Sequence, residues 1–288
     1  MHELAESGNH EAAEGDPQSR DLTIAIVVFQ PDVQELELTI RSLARALEAC
    51  DRPLSWHLTL IDHSPEPIGA SEEHLATLAN KWFGPPARVI LDRTNPGFGR
   101  GHNRTIASAG HLHLILNPDV EIDSSALKEA LHFMRSRRDC GALVPSVRGE
   151  DGKRQFLCKR YPSVLDLLLR GFAPQSLRRL FSARLDRYEM RDVIGDEVVW
   201  DPPIVSGCFM LFRGDVFRQL GGFDPRFFLY FEDFDLSLRA GKITRLAYVP
   251  SVRIVHHGGH AARKGLRHIW LFAQSAYTFF SKHGWRWF

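Results

Sequence analysis

Leu22-Thr-Ile-Ala-Ile-Val-Val-Phe29 contains no charge and only one polar side chain, Thr23. An apolar, β-branched run of this kind reads as a strand buried on both faces, the form taken inside parallel sheets. Pro31-Asp32 ends it, and Asp32 with Glu35 three residues later has the pattern of a capping box. Leu36, Ile40, Leu43 and Leu47 then recur on one face of a helix. The segment therefore opens a strand–helix unit whose apolar stripe must lie back on its own strand.

Downstream the alternation repeats. Residues 56–62 read as a strand, 71–82 as a helix and 88–91 as a strand. A Gly-rich loop follows, with a short helix near 103–109, a strand over 111–116 and a helix over 124–138. Strands alternating with helices through short connections predict an α/β fold, a mostly parallel central sheet flanked by helices. Right-handed crossovers bring the loops that follow the strands to one edge, where such sheets bind ligands. After residue 145 the rhythm breaks. A hairpin is expected at Gly149-Glu-Asp-Gly152 and a basic, Leu-rich helical stretch over 164–188. Regular structure resumes with a strand over 204–213, helices over 215–220 and 232–240, strands over 245–255, and an aromatic C-terminal helix over 264–282. Upstream, residues 1–21 carry Glu3, Glu6, Glu11, Glu14, Asp16 and Asp21 against Arg20. So acidic and unburiable a stretch predicts a disordered tail over 1–20.

In all, 288 residues at 44% hydrophobic suffice for one large core or two small ones. Lys plus Arg (36) nearly cancel Asp plus Glu (35), which excludes a dedicated nucleic-acid binder. The basic excess lies in the back half, and no acid follows Ser251. Cys50, Cys140, Cys158 and Cys208 have no metal-ligand spacing and read as reduced thiols. With no secretory leader and no membrane-length apolar run, the chain is expected in the cytoplasm.

Several segments at strand ends carry chemistry. Leu60-Ile61-Asp62 delivers a carboxylate to a strand terminus, where it can accept the imide N–H of uracil or thymine. In Asn95-Pro-Gly-Phe-Gly-Arg-Gly-His-Asn103, glycines at 97, 99 and 101 allow close backbone approach to a ligand. Leu116-Asn117-Pro118-Asp119 brings another carboxylate to a strand end, suited to a hard divalent cation such as Mg²⁺ or Mn²⁺. In Gly221-Gly-Phe-Asp-Pro-Arg-Phe-Phe-Leu-Tyr-Phe-Glu-Asp-Phe-Asp235, three acids open a helix behind five aromatic and aliphatic residues. Shielding from water raises a carboxylate's basicity, as a general base requires. Val255-His256-His257-Gly258-Gly259 ends a strand, and strand alternation turns only one imidazole toward a cleft.

Taken in order, these segments resemble glycosyltransferase family 2, and within it the rhamnosyltransferase-like members of cell-surface polysaccharide assembly such as lipopolysaccharide O-antigen. The resemblance runs from about Leu22 to Ser281 and adds Ser206-Gly207 before Met210-Leu211. It implies a GT-A fold and transfer with inversion from a nucleotide-diphosphate sugar, dTDP-rhamnose or a UDP-hexose, to a glycan or lipid-linked glycan hydroxyl. It further implies that Asp233 is the catalytic base, supported by Glu232. Asp119 and His256 would hold Mg²⁺ or Mn²⁺. Gln30, Asp62, Asn95, Gly97, Gly99, Gly101, Asn103, Asn117, Ser206 and Gly207 would contact the donor. Ile61-Asp62-His63-Ser64-Pro65 departs from the family's usual Val-Asp-Asn-Gly-Ser, and the Gln-x-x-Arg-Trp motif of processive synthases is missing.

The implied organisation is a donor-binding half over 21–145, an acceptor-binding and catalytic half over 146–262, and a C-terminal amphipathic helix over 263–288. That tail holds eight of the chain's aromatic residues alongside Arg and Lys, and is expected to make peripheral contact with the inner face of the membrane. Within it, Trp270, Phe272 and Tyr277 are expected to pack on the sheet. A nucleotidyltransferase, which would want a basic Gly-rich loop after the first strand, and a non-catalytic nucleotide-sugar binder, which would need no base, are the competing readings.

Overall fold

The computed structural model describes residues 17–65, 72–83, 88–258 and 265–288. The first strand, β1 (Leu22–Val28), is buried along its whole length. It lies between β2 (Trp56–Asp62) and β4 (Leu112–Leu116), parallel to both. Its two faces serve different layers, as period-two alternation requires. Ile24, Ile26 and Val28 enter the main core with Leu36, Ile40 and Leu43 of α1 (Val33–Glu48). Ala25 and Val27 turn the other way, against Ile61 and Phe98. Asp32 caps α1 by accepting from the backbone N–H groups of Gln34 and Glu35, a contact worth about 1 kcal/mol in general.

The sheet runs in the order β3-β2-β1-β4-β9-β6-β10-β5, with β3 (Arg88–Leu91), β5 (Val120–Ile122), β6 (Cys140–Arg148), β9 (Phe209–Arg213) and β10 (Arg245–His256). β9 and β5 are antiparallel to their neighbours on this path, and the other pairs are parallel. The two-residue strands β7 (Arg154–Gln155) and β8 (Val199–Trp200) pair antiparallel with β6 and β10. One sheet thus passes through both halves of the chain. α1, α2 (Glu72–Phe83) and α4 (Ala126–Ser136) cover one face. α8 (Gly214–Leu220) and α9 (Glu232–Ala240) cover the other through Phe217, Leu236 and Ala240.

Three expectations are corrected. The short helix is α3 (Phe98–Asn103), not 103–109, which forms turns. The glycines disguised it, since glycine is a poor helix former. The strand expected over 204–213 begins only at Phe209; Ile204 makes an isolated bridge to Lys159, and the chain between loops toward α9. The stretch over 164–188 is three helices, α5 (Val164–Phe172), α6 (Gln175–Leu180) and α7 (Ser182–Tyr188), interrupted at Ala173-Pro174. The hairpin at 149–152 is present, closed by the Gly152 N–H to the Gly149 carbonyl and by β6–β7 pairing. The tail expectation for 1–16 lies outside the described residues; Pro17–Ser19 is a short 3-10 helix rather than disordered. The last helix, α10, spans Leu266–His283.

Candidate active site

The carboxyl ends of β1, β2 and β4 meet along one edge, and the start of β9 joins them because Phe209 pairs with Leu116. Asp62, the last residue of β2, is fully buried. One carboxylate oxygen accepts from the Ser64 N–H (2.8 Å); the other has no hydrogen-bond partner among the described residues. Gln30 sits beside it with φ at 47°, its N–H bound to the Ser64 hydroxyl at 2.7 Å. Asn95 is also left-handed, φ 42°. Non-glycine residues held there store strain, which tends to gather at functional loops.

The glycines of α3 serve the protein's own packing. A Cβ at Gly97 would collide with the Phe228 carbonyl, one at Gly99 would lie 2.7 Å from Phe223, and one at Gly101 would lie 2.6 Å from His63 Nε2. On the side where a Cβ would stand, these positions are packed against protein, which by itself accounts for glycine there. Asn103 is engaged likewise: its amide donates to the Phe223 carbonyl and accepts from the Phe223 N–H, both at 2.8 Å. This staple ties α3 to the Gly221-Gly-Phe-Asp segment.

Asp119 lies in the turn between β4 and β5, and β10 ends beside it. The His257 N–H donates to the Asp119 carbonyl (2.9 Å), and His256 Nε2 stands 3.4 Å from Asp119 Oδ1. His257 faces away, toward Glu150 (2.9 Å) and Glu121 (3.6 Å). Gln155 fixes the His256 tautomer. Its amide N–H₂ donates to the His256 carbonyl, so its oxygen is left to accept from Nδ1–H at 3.3 Å. His256 then presents Nε2 to the Asp119 carboxylate, a pairing that either a proton or a metal cation between them satisfies. Burial pulls the Asp119 carboxyl up, yet the His256 contact together with the backbone and Asn117 hydrogen bonds brings the acid below its ordinary range. A Cβ at Gly258 would fall inside the radius of Asp119 Oδ2, so the cradle is closed to any larger residue. The oxygen and nitrogen donors, the orphaned Oδ1 and this cradle fit a Mg²⁺ or Mn²⁺ ion with positions left open for a ligand. Among the described residues no third His, Cys, Asp or Glu completes a closed cluster.

Asp233 and Glu232 open α9. Glu232 is buried and Asp233 partly so, and the loss of water around them raises both carboxyls above the ordinary range. Asp233 is held down relative to its neighbour by two N–H donors, Gly207 at 3.0 Å and Phe234 at 2.9 Å. Glu232 Oε2 has no partner among the described residues, and the Asp233 charge lifts Glu232 further. Asp233 is therefore the one that ionises first. The segment aiming these acids is strained: Tyr230 (φ 72°) and Phe231 (φ 62°) are both left-handed, at a general cost of about 1–3 kcal/mol each. α10 holds them there. Ser275 Oγ donates to the Leu229 carbonyl (2.8 Å), the Tyr230 hydroxyl meets His268 (2.9 Å), and Phe231 packs on Phe272 and Phe279. Asp235, the third acid, is buried in ion pairs with Arg239, Lys282 and His283, which removes it from the chemistry.

Residues 206–208 join the two carboxylate corners. The Gly207 N–H binds Asp233, and the Cys208 carbonyl accepts from the Asn117 N–H (2.9 Å), two residues before Asp119. Ser206 precedes them, half-buried. Sequence reasoning missed Gln155 and the grip of α10. Gly258 lay in the quoted His-His-Gly-Gly, whose glycine carries a visible signal of crowding.

No protein-family model matches the chain. It is 30% identical over 284 residues to the N-acetylglucosaminyl-diphospho-decaprenol L-rhamnosyltransferase of Mycobacterium tuberculosis, an alignment covering 92% of this chain and 86% of that one. The chain belongs to glycosyltransferase family 2. This family 2 enzyme is also 28% identical over 187 residues to rhamnosyltransferase WbbL of Escherichia coli K12, covering 60% of the chain and 66% of the relative. Solved structures share its GT-A fold. GalNAc-T7 with UDP, GalNAc and Mn²⁺ superposes at a TM-score of 0.58 with 17% identity, over 83% of this chain and 44% of that one. Staphylococcus aureus TarS 1–349 with UDP-GlcNAc gives 0.55 with 13% identity, over 90% and 66%. The family 2 assignment makes the chain a sugar-transferring enzyme rather than a nucleotidyltransferase or a passive binder. No helix among its described residues is long and apolar enough to cross a membrane.

Proposed function

We propose that the enzyme transfers L-rhamnose from dTDP-L-rhamnose, with inversion, to a hydroxyl of a lipid-linked glycan. The observation that carries the reading is one sheet edge bearing two unlike acidic corners, Asp119–His256 and Glu232–Asp233. The rhamnose donor and lipid-linked acceptor are supported by the activities named for the two relatives. Asp62 accepts the imide N–H of the base on its unpartnered oxygen, and Gln30, Asn95, Asn117 and Ser206 line the donor. The residues over 97–103 and Gly207 shape that site from behind. Asp119 and His256 would hold Mg²⁺ or Mn²⁺, whose charge offsets that of the departing diphosphate.

Asp233 takes the proton of the acceptor hydroxyl as that oxygen attacks the anomeric carbon from the face opposite the diphosphate. The Gly207 and Phe234 N–H groups aim the carboxylate, and Glu232, protonated beside it, keeps the negative charge on Asp233. Direct displacement needs no enzyme nucleophile. The test is transfer to a lipid-diphosphate glycan from dTDP-L-rhamnose and from UDP-hexoses in parallel, with the product anomer read by NMR. Rhamnose transfer with inverted configuration is expected. Preference for a UDP-hexose would overturn the donor, and retained configuration would overturn the base.

A further inference from the structure

α6 (Gln175–Leu180) has no buried residue, and the chain around it is exposed from Pro174 through Leu180. A six-residue helix gains little from its own hydrogen bonds, so a free-standing one lacks the packing that stabilises most helices. Its composition is nevertheless that of a buried-face element: Leu177 and Leu180 lie one turn apart, with Leu180 77% exposed. Arg178 and Arg179 flank them without an acidic partner among the described residues. Immediately before α6, Leu168 and Phe172 of α5 are also half exposed.

The C-terminal segment pairs with the start of α5, the helix that carries Leu168 and Phe172. The Val164 N–H donates to the Arg286 carbonyl (2.8 Å) and the Leu165 N–H to the Trp287 carbonyl (3.2 Å). Trp285 stacks on Trp287 (5.0 Å between ring centroids) and on Phe280 (5.2 Å), and its edge meets Tyr277 of α10. Tyr277 is 65% exposed, so the ring ladder continues the patch onto the outward face of the helix that grips Leu229–Asp235. Trp270 is exposed as well, at 62%, which corrects the expectation that it and Tyr277 pack on the sheet; Phe272 does pack. Charge follows the same boundary. Across 164–184 and 265–288 the one acid is Asp166, which is buried and paired with Arg184.

We propose that α5, α6 and the C-terminal aromatic segment form a single face that docks on an anionic lipid bilayer. Apolar side chains and indole rings would enter the boundary of headgroups and acyl chains while the arginines meet lipid phosphates. Charge complementarity selects this occupant: a protein partner for so basic a face would have to be acidic, whereas the leaflet supplies anions over its whole area. The inference rests on the lipid-linked acceptor only for its purpose, which is to present that acceptor to the side of the site clamped by α10.

The experiment is flotation of the purified full chain with phosphatidylcholine vesicles, with and without phosphatidylglycerol, at low and high salt. Binding is expected only with phosphatidylglycerol, weakening as salt rises. Arg178→Glu with Arg179→Glu should weaken it at least ~10-fold, and Leu177→Glu with Leu180→Glu should do the same. Both pairs lie on a wholly exposed helix, so donor turnover in detergent should stay at the wild-type rate. Equal binding by the variants, or no flotation of the wild type at low salt, overturns the proposal. So does a solution dimer that the leucine variants dissociate without changing flotation. Failure of the wild type to use dTDP-L-rhamnose in detergent would instead refute the donor reading and leave the flotation result standing.

Discussion

Asp119 and Asp233 stand at the same sheet edge, joined through residues 206–208, and burial pushes both carboxyls in the same direction. Their outcomes are opposite. Asp119 has an imidazole at 3.4 Å and ends below the ordinary carboxylate range. Asp233 has two backbone N–H groups and a carboxyl neighbour, and ends above it. The difference shows how one edge can keep a fixed negative charge at one corner and a basic oxygen at the other. What separates them is the partners each is given, an imidazole at one corner and backbone N–H groups with a second carboxyl at the other, not depth alone.

The comparison breaks most visibly if the fixed charge is removed. Asp119→Ala should lower metal-dependent kcat/KM for the donor on the order of 10³-fold, since an anchored cation is worth several kcal/mol to a departing diphosphate. Chelation should mimic the variant in the wild type and add nothing to the variant; further loss on chelation would show that the ion sits elsewhere. Gly258→Ala leaves both ligands in place but puts a methyl where Asp119 Oδ2 lies. Metal affinity should fall about 10–100-fold, the usual cost of disturbing a ligand's support, and unaltered titration would refute the cradle.

Acidity sharpens the other corner. The Asp233 carboxyl is raised, so its proton returns sooner as pH falls, and the base form is lost through that raised pKa rather than in the ordinary carboxylate range. At saturating donor and metal, kcat should decline about tenfold per pH unit below that point. A profile flat down to the ordinary Asp range would remove Asp233 as base. The smallest effect belongs to Gln155→Leu. Releasing the Nδ1 contact should weaken metal binding about 10-fold and be restored at excess metal. Loss of kcat that excess metal cannot restore would contradict a role confined to the imidazole.

The fold was legible because β1 and α1 declare their burial locally: Ile24 and Ile26 alternate with Ala25 and Val27, and Leu36, Ile40 and Leu43 keep helical spacing. α3 was misplaced because Gly99 and Gly101 answer to Phe223 and His63, residues distant in sequence. The acidic segments were visible as strand and helix ends; alternation allowed only one of His256 and His257 to face the site, and the family resemblance, not the alternation, pointed to His256. Gln155 left no trace, since its role depends on a β7–β6 register that brings it under a residue 101 positions later. The clamp by α10 was hidden for the same reason. Ser275, Lys282 and His283 read as ordinary polar residues on an aromatic helix until Leu229 and Asp235 are placed beside them.

The claim at the centre is that proton transfer resides in Asp233 and donor charge in the Asp119 corner. Asp233→Asn tests it directly, because the amide keeps the shape and cannot accept the proton. Donor affinity by calorimetry and kcat at saturating donor should be measured on the same preparation with Mn²⁺ present. The expected result is donor affinity close to wild type with kcat lowered at least ~10²-fold. Near-normal kcat, or a loss confined to donor affinity, would contradict the division of labour between the two corners.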